Sequence, residues 1–362
     1  MPLHRLLAAV SARGFRRSLS TAAAATDSRR GASWTWYLLD KTTMAAGSAP
    51  APEVSFDSPP SLSQLHVPEH LAKHSCGLPL PDPDDDVVRL LACKACCSSQ
   101  DGLLLLNIHD IRVAATIVAR QGAEQGGDRV RQFTGLADLS QLPGMSHYVF
   151  NPCNREISSC LPEIEGPKKI LAGFNLGLLT RAGSGGFGPP DRYAVAEMEG
   201  RLMLRFLSET GEWEILEGSR CQLPAGRPRL LPNQEAVAWN GKLWWVDLTF
   251  GAICADPFSD RPEPRFVQLP SGSMLPAHIH EKGVDEVVRR ALNFNLEGSI
   301  LEPHMYRRVG VSGGWLRYVE VSHKEPFVLS SFKLDADGSG WTLEHRVALS
   351  KLWADGGHPW LP

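Results

Sequence analysis

Three histidines spaced by four residues, His66, His70 and His74, are a first candidate for chemistry in this chain of 362 residues. On a helix they would line one face, and neutral imidazoles at that spacing can bind zinc or nickel. Pro68 lies between the first two, and proline interrupts a helical turn. We therefore expect a solvated helix face rather than a metal site.

Three clustered cysteines, Cys93, Cys96 and Cys97, contain a single C-x-x-C. Two such pairs would predict zinc, and one pair at a helix N-terminus would predict a redox thiol. Here the pair falls in a strand pattern that puts Cys93 and Cys97 on one face and Cys96 on the other. We predict small buried hydrophobic side chains in a reducing compartment.

A glycine-rich stretch at residues 183–188 matches G-x-G-x-x-G, but Pro189 and Pro190 follow it. A dinucleotide site needs a helix N-terminus at that point, so the stretch predicts a surface loop.

An acidic segment, Asp335 to Gly338 with Glu344, has the spacing of part of a calcium loop. The first ligand position would hold Lys333, a cation where a carboxylate is required. The flanking residues alternate like strands, which predicts a hairpin turn. We expect no metal and no cofactor.

Four ionisable residues far apart in sequence, His109, Asp110, His147 and Asp256, could form a catalytic site only if the fold gathers them. An enzyme, such as a hydrolase, with such a site on one face of the domain is therefore one open alternative. The other, which we favour, is a non-catalytic interaction module that binds a protein partner. A net charge of −3, with aromatic residues not interleaved with basic ones, does not favour nucleic acid.

The elements that would position these residues are short apolar runs separated by turn residues. They predict an all-β fold, either a β-propeller-like array or a large sandwich or barrel of short antiparallel strands, with few short helices. Helices are predicted at residues 68–75 and 284–292, and a loop at residues 44–62. The predicted strands are residues 33–40, 87–93, 103–108, 113–119, 148–150, 193–196, 202–207, 213–216, 236–239, 243–248, 252–255, 316–321, 327–334 and 341–347.

Two internal repeats favour propeller blades. Asn151-Pro152 precedes Leu161-Pro162 as Asp256-Pro257 precedes Leu269-Pro270. A hairpin pattern with a Trp near the start of the returning strand also occurs twice, at Trp213 and Trp341.

Residues 237–248 and 251–258 carry a signature that resembles a plant family, domain of unknown function 1618, which is expanded in grasses. Residues 36–40 and 266–270 also fit, and the resemblance runs from about residue 34 to about residue 352. It implies a plant protein of no established activity, with weaker similarity to F-box-associated and Kelch-like propeller domains. No F-box is expected, because a transit-like segment occupies the N-terminus. The signature residues are Trp239, Gly241, Trp244, Trp245, Asp247, Gly251, Asp256 and Pro257.

Within this signature, alternation places Trp244, Val246 and Leu248 on one face of a strand and Leu243, Trp245 and Asp247 on the other. Because both faces are mainly apolar, we predict a central strand covered on both sides. Asp247 is predicted to accept hydrogen bonds from amides of the turn that follows.

The first 26 residues contain no acidic side chain, and Arg5, Arg13, Arg16 and Arg17 lie among apolar residues at helical spacing. This composition is typical of an organellar transit peptide, with cleavage between Leu19 and Ser20. The predicted organisation is a transit peptide at 1–19, a linker at 20–33, one β-rich domain at 34–352 and a tail at 353–362. We expect a mitochondrial protein, with the chloroplast or cytoplasm as alternatives. No membrane span is predicted, and the oligomeric state is left open.

Overall fold

The computed structural model confirms the all-β class, with strands in five sheets. It describes residues 38–39, 42–43, 46–47, 51–57, 61–72, 75–77, 87–114, 146–165, 175–182, 190–219, 221–224, 230, 236–275, 306–322 and 324–354, the side chains of 38, 42–43, 46–47, 75–77, 87–92, 109–114 and 353 excepted. Among these residues, the helical elements are a 3-10 turn at Glu69–Leu71 and one α-helix, α1 (Leu349–Ala354).

The strands alternate with short turns along the described chain. They are β1 (Leu38–Leu39), β2 (Thr42–Thr43), β3 (Ala46–Gly47), β4 (Glu53–Ser55), β5 (Leu62–Pro68), β6 (Ser75–Gly77), β7 (Val87–Ser98), β8 (Leu104–Ala114), β9 (Ser146–Phe150), β10 (Gly177–Arg181), β11 (Arg192–Glu199), β12 (Leu202–Leu207), β13 (Trp213–Glu217), β14 (Val237–Trp239), β15 (Lys242–Asp247), β16 (Gly251–Ala255), β17 (Arg265–Gln268), β18 (Arg307–Ser312), β19 (Trp315–Val321), β20 (Val328–Leu334) and β21 (Trp341–Ala348).

Three of the sheets are four-stranded antiparallel meanders: sheet 3 (β10–β13), sheet 4 (β14–β17) and sheet 5 (β18–β21). Sheet 2 has the order β2-β7-β8-β6, and β9 pairs with β8 beside β6. Sheet 1 has the order β1-β5-β3, with β4 also paired with β5. The pairs β1/β5, β3/β5 and β6/β8 are parallel.

The sheets pack face to face in chain order, and each interface is a separate hydrophobic layer. Leu65 and Phe150 lie between sheets 1 and 2. Leu105 and Leu178 lie between sheets 2 and 3. The layers between sheets 3 and 4 and between sheets 4 and 5 contain Met203 with Trp245, and Trp244 with Tyr318, respectively. Sheets 2 to 4 are therefore buried on both faces, so their strands are nearly continuous apolar runs.

The outer side of sheet 5 is partly covered by α1. Leu349 from this helix is buried beside Tyr306 and Val321, and Leu352 packs against the same cluster. No helix in the described part of the chain is long and apolar enough to cross a membrane.

The turns after the first and third strands of each meander lie at one edge of its sheet, because neighbouring strands are antiparallel. We call this the hairpin edge; among the described residues it comprises the turns at 208–212, 240–241, 256–264, 313–314 and 335–340. We include in it the β7–β8 turn of sheet 2, residues 99–103, because Asp101 in that turn accepts a hydrogen bond from Thr180 at the end of β10. The first strands of the three meanders lie against one another in order, β10 against β14 and β14 against β18. Asn240 and Gly241 have φ values of 50° and 70°, which allows a two-residue hairpin there.

Several sequence predictions about local structure are wrong. Strand β5 extends to Pro68, only Glu69–Leu71 is helical, and β6 begins at Ser75, so residues 68–75 do not form the predicted helix. Strands β3 and β4 fall within the predicted loop at 44–62. The predicted helix at 284–292 lies outside the described residues, as do the transit peptide, the linker and the glycine-rich stretch.

Candidate functional site

The signature strand β15 is the central element of sheet 4, between β14 and β16. Trp244 and Trp245 point to opposite hydrophobic layers, as alternation predicts. The Trp244 indole donates to the backbone oxygen of Trp239 at 3.2 Å, and the Trp239 indole donates to that of Gly314 at 2.9 Å. The Trp245 indole donates to the Asn175 oxygen at 3.0 Å. These tryptophans therefore anchor sheet 4 to both of its neighbours.

Asp247 ends β15 at the edge opposite the hairpin edge and is almost fully buried. Its Oδ1 accepts from the Thr249 backbone N–H at 2.9 Å and from the Thr249 hydroxyl at 2.6 Å. The hydrogen bond predicted from the following turn is therefore present. It fixes the β15–β16 turn, which Phe250 closes by donating its N–H to the Asp247 carbonyl at 3.0 Å.

The two signature glycines serve different purposes. A Cβ at Gly251 would lie 2.5 Å from the Val267 carbonyl oxygen and 2.6 Å from the Phe266 ring, so only glycine fits between β15 and β17. Gly241 has open space around it, but its φ of +70° is a conformation that disfavours a side chain.

Asp256 and Pro257 begin a loop, residues 256–264, that we call the strap because it runs over sheet 3. Asp256 Oδ1 accepts from the Phe258 N–H at 2.9 Å, and both carboxylate oxygens accept from Arg181 Nη2 at 2.9 Å. The Pro262 carbonyl accepts from the Ser219 N–H at 3.3 Å at the far side of the sheet.

Arg205 binds the middle of the strap. It is a buried side chain in β12, and its Nη1 donates to the carbonyls of Pro257 and Ser259 at 2.8 and 2.7 Å. Its Nε donates to Glu214 Oε1 at 2.7 Å, which balances its charge. The strap is thus held by a buried cation and two backbone acceptors, which explains why Asp256 and Pro257 belong to the signature.

A pair of arginines lies beside the strap at the hairpin edge. Arg181 and Arg192 are directly opposite each other on β10 and β11. Their guanidinium carbons lie 4.3 and 5.5 Å from the centroid of the Phe258 ring. Arg192 Nη1 also donates to Glu209 Oε1 at 3.0 Å. The arrangement is a partly exposed cluster of two cations on one aromatic ring.

Contacts between neighbouring sheets recur along the hairpin edge. Thr180 at the end of β10 donates to Asp101 in the turn after β7. Arg265 at the start of β17 donates to the Asp337 carbonyl in the β20–β21 turn at 2.7 Å. With the Arg181–Asp256 and Trp239–Gly314 contacts, they fix the turns of sheets 2 to 5 relative to one another.

A second charged cluster lies at the opposite edge. Arg307 is buried and donates to the carbonyls of Leu248 and Ser273 at 2.9 and 2.6 Å. Glu320 lies 3.6 Å from Arg307 and accepts from the hydroxyls of Ser273 and Tyr318 at 2.9 and 2.7 Å. Burial raises the pKa of Tyr318, so the phenol stays protonated and donates to Glu320. The cluster joins sheet 4 to sheet 5.

Three of the four candidate catalytic residues lie in strands β8 and β9 of sheet 2, and the fourth, Asp256, lies in the strap. His147 is buried in β9 of sheet 2, opposite Asn107. Asp256 lies in the strap of sheet 4, bound to Arg181. His109 and Asp110 pair through their backbones with Ala92 and Leu91, and their side chains lie outside the described part.

The predicted histidine face does not form. His66 lies in β5 opposite Glu53, and His70 lies in the 3-10 turn, so the two belong to different elements. His74 is outside the described residues. Within the described residues, no group of three or more His, Cys, Asp or Glu side chains could hold a metal ion.

The cysteine cluster departs from simple alternation. A bulge between Ala95 and Cys97 shifts the register, so Cys93 faces the layer toward sheet 1 while Cys97 faces the layer toward sheet 3. Cys96 packs near the same layer as Cys97. The predicted common face of Cys93 and Cys97 is wrong, since the extra residue reverses the pleat. Burial raises the pKa of the Cys93 thiol, which keeps it protonated and unreactive.

The acidic segment at residue 335 forms the predicted hairpin turn. Asp337 Oδ1 accepts from the Ser339 N–H at 2.9 Å, and Asp335 Oδ1 accepts from the Thr342 hydroxyl at 2.8 Å. Glu344 pairs instead with Arg317, at 2.6 Å.

The three arginines of sheet 3 were not among the predicted site residues. Arg205 interrupts an otherwise apolar run in β12, and this buried cation is the signal that could have identified the cluster. Arg181 lies in a short strand that the apolar pattern did not predict.

The fold and the strap define a protein of face-to-face packed β-sheets whose loops bind across neighbouring sheets. Residues 245–362 match the model of the family described as Protein of unknown function (DUF1618). This match includes Trp245, Asp247, Gly251 and the strap, and it supports the resemblance that the signature predicts. No curated protein matches the chain. The extension of the resemblance to residues 34–244, and the plant origin, stay predictions.

Proposed function

We propose that the chain is a non-catalytic interaction module that presents its hairpin edge to a protein partner. The observation that carries this proposal is the set of contacts that join the turns of successive sheets at that edge. Arg181 with Asp256, Trp239 with Gly314, and Arg265 with Asp337 link sheets 3, 4 and 5 there. Loops that are fixed relative to one another lose little conformational freedom when they bind, which favours recognition of a partner.

The proposal extends to a propeller-like arrangement of the sheets. It is supported by three consecutive four-stranded meanders whose first strands lie side by side. In a propeller, each meander is one blade and the turns of all blades form a common surface. The two internal repeats are consistent with this arrangement.

The partner is expected in an organelle, because residues 1–19 have the composition of a transit peptide. A fluorescent protein fused to residues 1–30 should enter mitochondria, and the mature N-terminus should lie near Ser20. Import into chloroplasts would keep the organellar proposal and correct the compartment. A diffuse cytosolic signal with Met1 intact would contradict it.

The interaction proposal is tested by affinity purification of the full chain, tagged at its C-terminus, followed by mass spectrometry of the co-purifying proteins. Thr210→Arg and Ala336→Arg place a bulky charge on exposed turns of the hairpin edge, in sheets 3 and 5. Glu199→Arg makes a matched change at the exposed end of β11, at the opposite edge. We expect the partner to be lost with either of the first two variants and kept with the third. A partner retained by all three, or lost with all three while folding is unchanged, would contradict the proposal.

A further inference from the structure

We propose that Arg181 and Arg192 form a binding site for a carboxylate side chain of an acidic partner segment. This inference rests on the proposed interaction at the hairpin edge and names the chemistry of the partner. The first observation is their register, since two cations stand directly opposite each other on β10 and β11. Like charges in this position destabilise a sheet unless anions compensate them.

Both guanidinium groups are accessible and oriented. Their side chains are 34% and 30% exposed, respectively. Both lie near the Phe258 ring, and such stacking fixes the plane of a guanidinium group. A planar guanidinium group held in place is suited to bidentate recognition of a carboxylate.

Donor capacity remains on both residues. Arg181 uses Nη2 for both hydrogen bonds to Asp256. Arg192 uses Nη1 for Glu209, and its Nε is buried without a hydrogen-bond partner among the described residues. A buried unpaired donor costs free energy, so the described residues compensate the Arg192 guanidinium group incompletely.

The two anions already present differ in how firmly they are held. Asp256 is fixed by its own turn, because it also accepts from the Phe258 N–H. Glu209 lies in an exposed turn, its side chain is 49% exposed, and it makes a simple pair with Arg192. Exposed pairs of this kind are weak, so a partner carboxylate can replace Glu209 at Arg192. Glu209 thus acts as an internal competitor for the site.

The test measures binding of a fluorescent ten-residue glutamate peptide to the full-length protein at low ionic strength, with a glutamine peptide of the same length as the neutral probe. We expect the glutamate peptide to bind and the glutamine peptide not to bind. Binding of the glutamate peptide should weaken as the salt concentration rises, since exposed charges are screened by salt. Arg192→Gln should weaken it by about tenfold or more, because charge-assisted hydrogen bonds are lost. Glu209→Gln should strengthen it by about two- to fivefold, which a folding defect cannot imitate.

Arg201→Gln is the control, because Arg201 forms a simple and more exposed pair with Glu217 at the other edge of sheet 3. It should leave binding unchanged. Equal binding by wild type and Arg192→Gln, or weaker binding by Glu209→Gln, would overturn the inference. If the peptide fails to bind while the co-purifying partner still depends on Thr210 and Ala336, only this inference fails. If the peptide binds as expected but no partner depends on the edge, the proposed function fails instead.

Discussion

Trp213 and Trp341 occupy the same position in two different sheets, each as the first residue of the fourth strand. The Trp213 indole donates to the Pro162 carbonyl at 2.8 Å, where the chain leaves sheet 2. The Trp341 indole donates to the Gln268 carbonyl at 2.8 Å, where the chain leaves sheet 4. The two sequence repeats are therefore complementary, since the Trp hairpin of one sheet binds the Leu-Pro exit of the sheet before it.

The two indoles are equivalent in position but differ in burial, so removing their N–H donors should have unequal effects on stability. Trp213→Phe should lower the free energy of unfolding by about 1–2 kcal/mol, because a buried side chain loses volume as well as a hydrogen bond. Trp341→Phe should cost less than about 1 kcal/mol, because its hydrogen bond is exposed to solvent. Urea denaturation of both variants measures the difference. Equal losses would contradict the different burial of the two indoles.

Trp244 is expected to be a core anchor of sheet 4. It is buried between sheets 4 and 5, with its ring centroid 5.6 Å from that of Trp239. Trp244→Ala should cost about 3–5 kcal/mol, because apolar burial is lost and a cavity remains. The loss is a large part of a typical stability of about 5–15 kcal/mol, so soluble yield should also fall. A variant with wild-type stability in chemical denaturation would contradict the predicted two-sided burial of β15.

Strands β10, β15 and β18 show what the sequence could and could not predict. Alternation and burial of β15 were predicted correctly, because both faces of the strand are apolar and a single period explains them. β10 and β18 were missed, because Gly and Arg residues weaken the apolar pattern of Gly177–Arg181 and Arg307–Ser312. Burial of these strands depends on neighbouring sheets, which local patterns do not record.

The candidate site was predicted less completely than the fold. Asp256 and Pro257 were identified from the signature, but their partners Arg181 and Arg205 lie 75 and 52 positions away in the chain. The cysteine faces were wrong for a related reason, since one bulge at Cys96 reverses a two-residue period. Pairings between distant segments and single-residue bulges leave no regular signal in one sequence.

Gly251 is expected to tolerate no side chain. Gly251→Ala should cost about 1–3 kcal/mol or more, because its Cβ would lie 2.5 Å from a backbone oxygen that cannot move aside easily. Gly310→Ala is the matched control in another sheet, since a Cβ there meets nothing within 4 Å. Thermal unfolding of the two variants should separate them clearly. A stable Gly251→Ala would mean that β17 does not pack as closely as described.

Glu344 should make stability depend on pH in the acid range. Two hydrogen bonds from Arg317, at 2.6 and 3.1 Å, lower the pKa of Glu344 below its ordinary value of 4.5. Because the folded state holds the carboxylate at the lower pKa, this contribution is present above pH 4.5 and is lost as the pH falls through the folded value.

The corresponding variant is Glu344→Gln. It should be less stable than wild type by about 1 kcal/mol at neutral pH, and the difference should shrink as the pH falls below the ordinary value. Glu217→Gln, which breaks the more exposed pair with Arg201, should change stability less at neutral pH. A difference between Glu344→Gln and wild type that stays constant with pH would contradict the role assigned to the Arg317 pair.

Asp247 separates a structural role from a functional one. Its Oδ1 accepts two hydrogen bonds from Thr249, at 2.9 and 2.6 Å, in a buried turn. Asp247→Asn keeps an acceptor oxygen of the same shape and should cost less than about 1.5 kcal/mol. Asp247→Ala leaves the Thr249 N–H and hydroxyl without this acceptor and should cost about 2–3 kcal/mol. A double-mutant cycle with Thr249→Val measures how much of that loss belongs to the pair.

Partner binding by the Asp247 variants gives the decisive comparison. Asp247 lies at the edge opposite the turns that we propose as the binding surface, so Asp247→Asn should bind the partner as well as wild type. The co-purification used for the hairpin-edge variants measures this directly. If Asp247→Asn folds with unchanged stability and yet loses the partner, the carboxylate itself is required, and the binding surface must be reassigned to the edge formed by Asp247, Thr249 and Arg307.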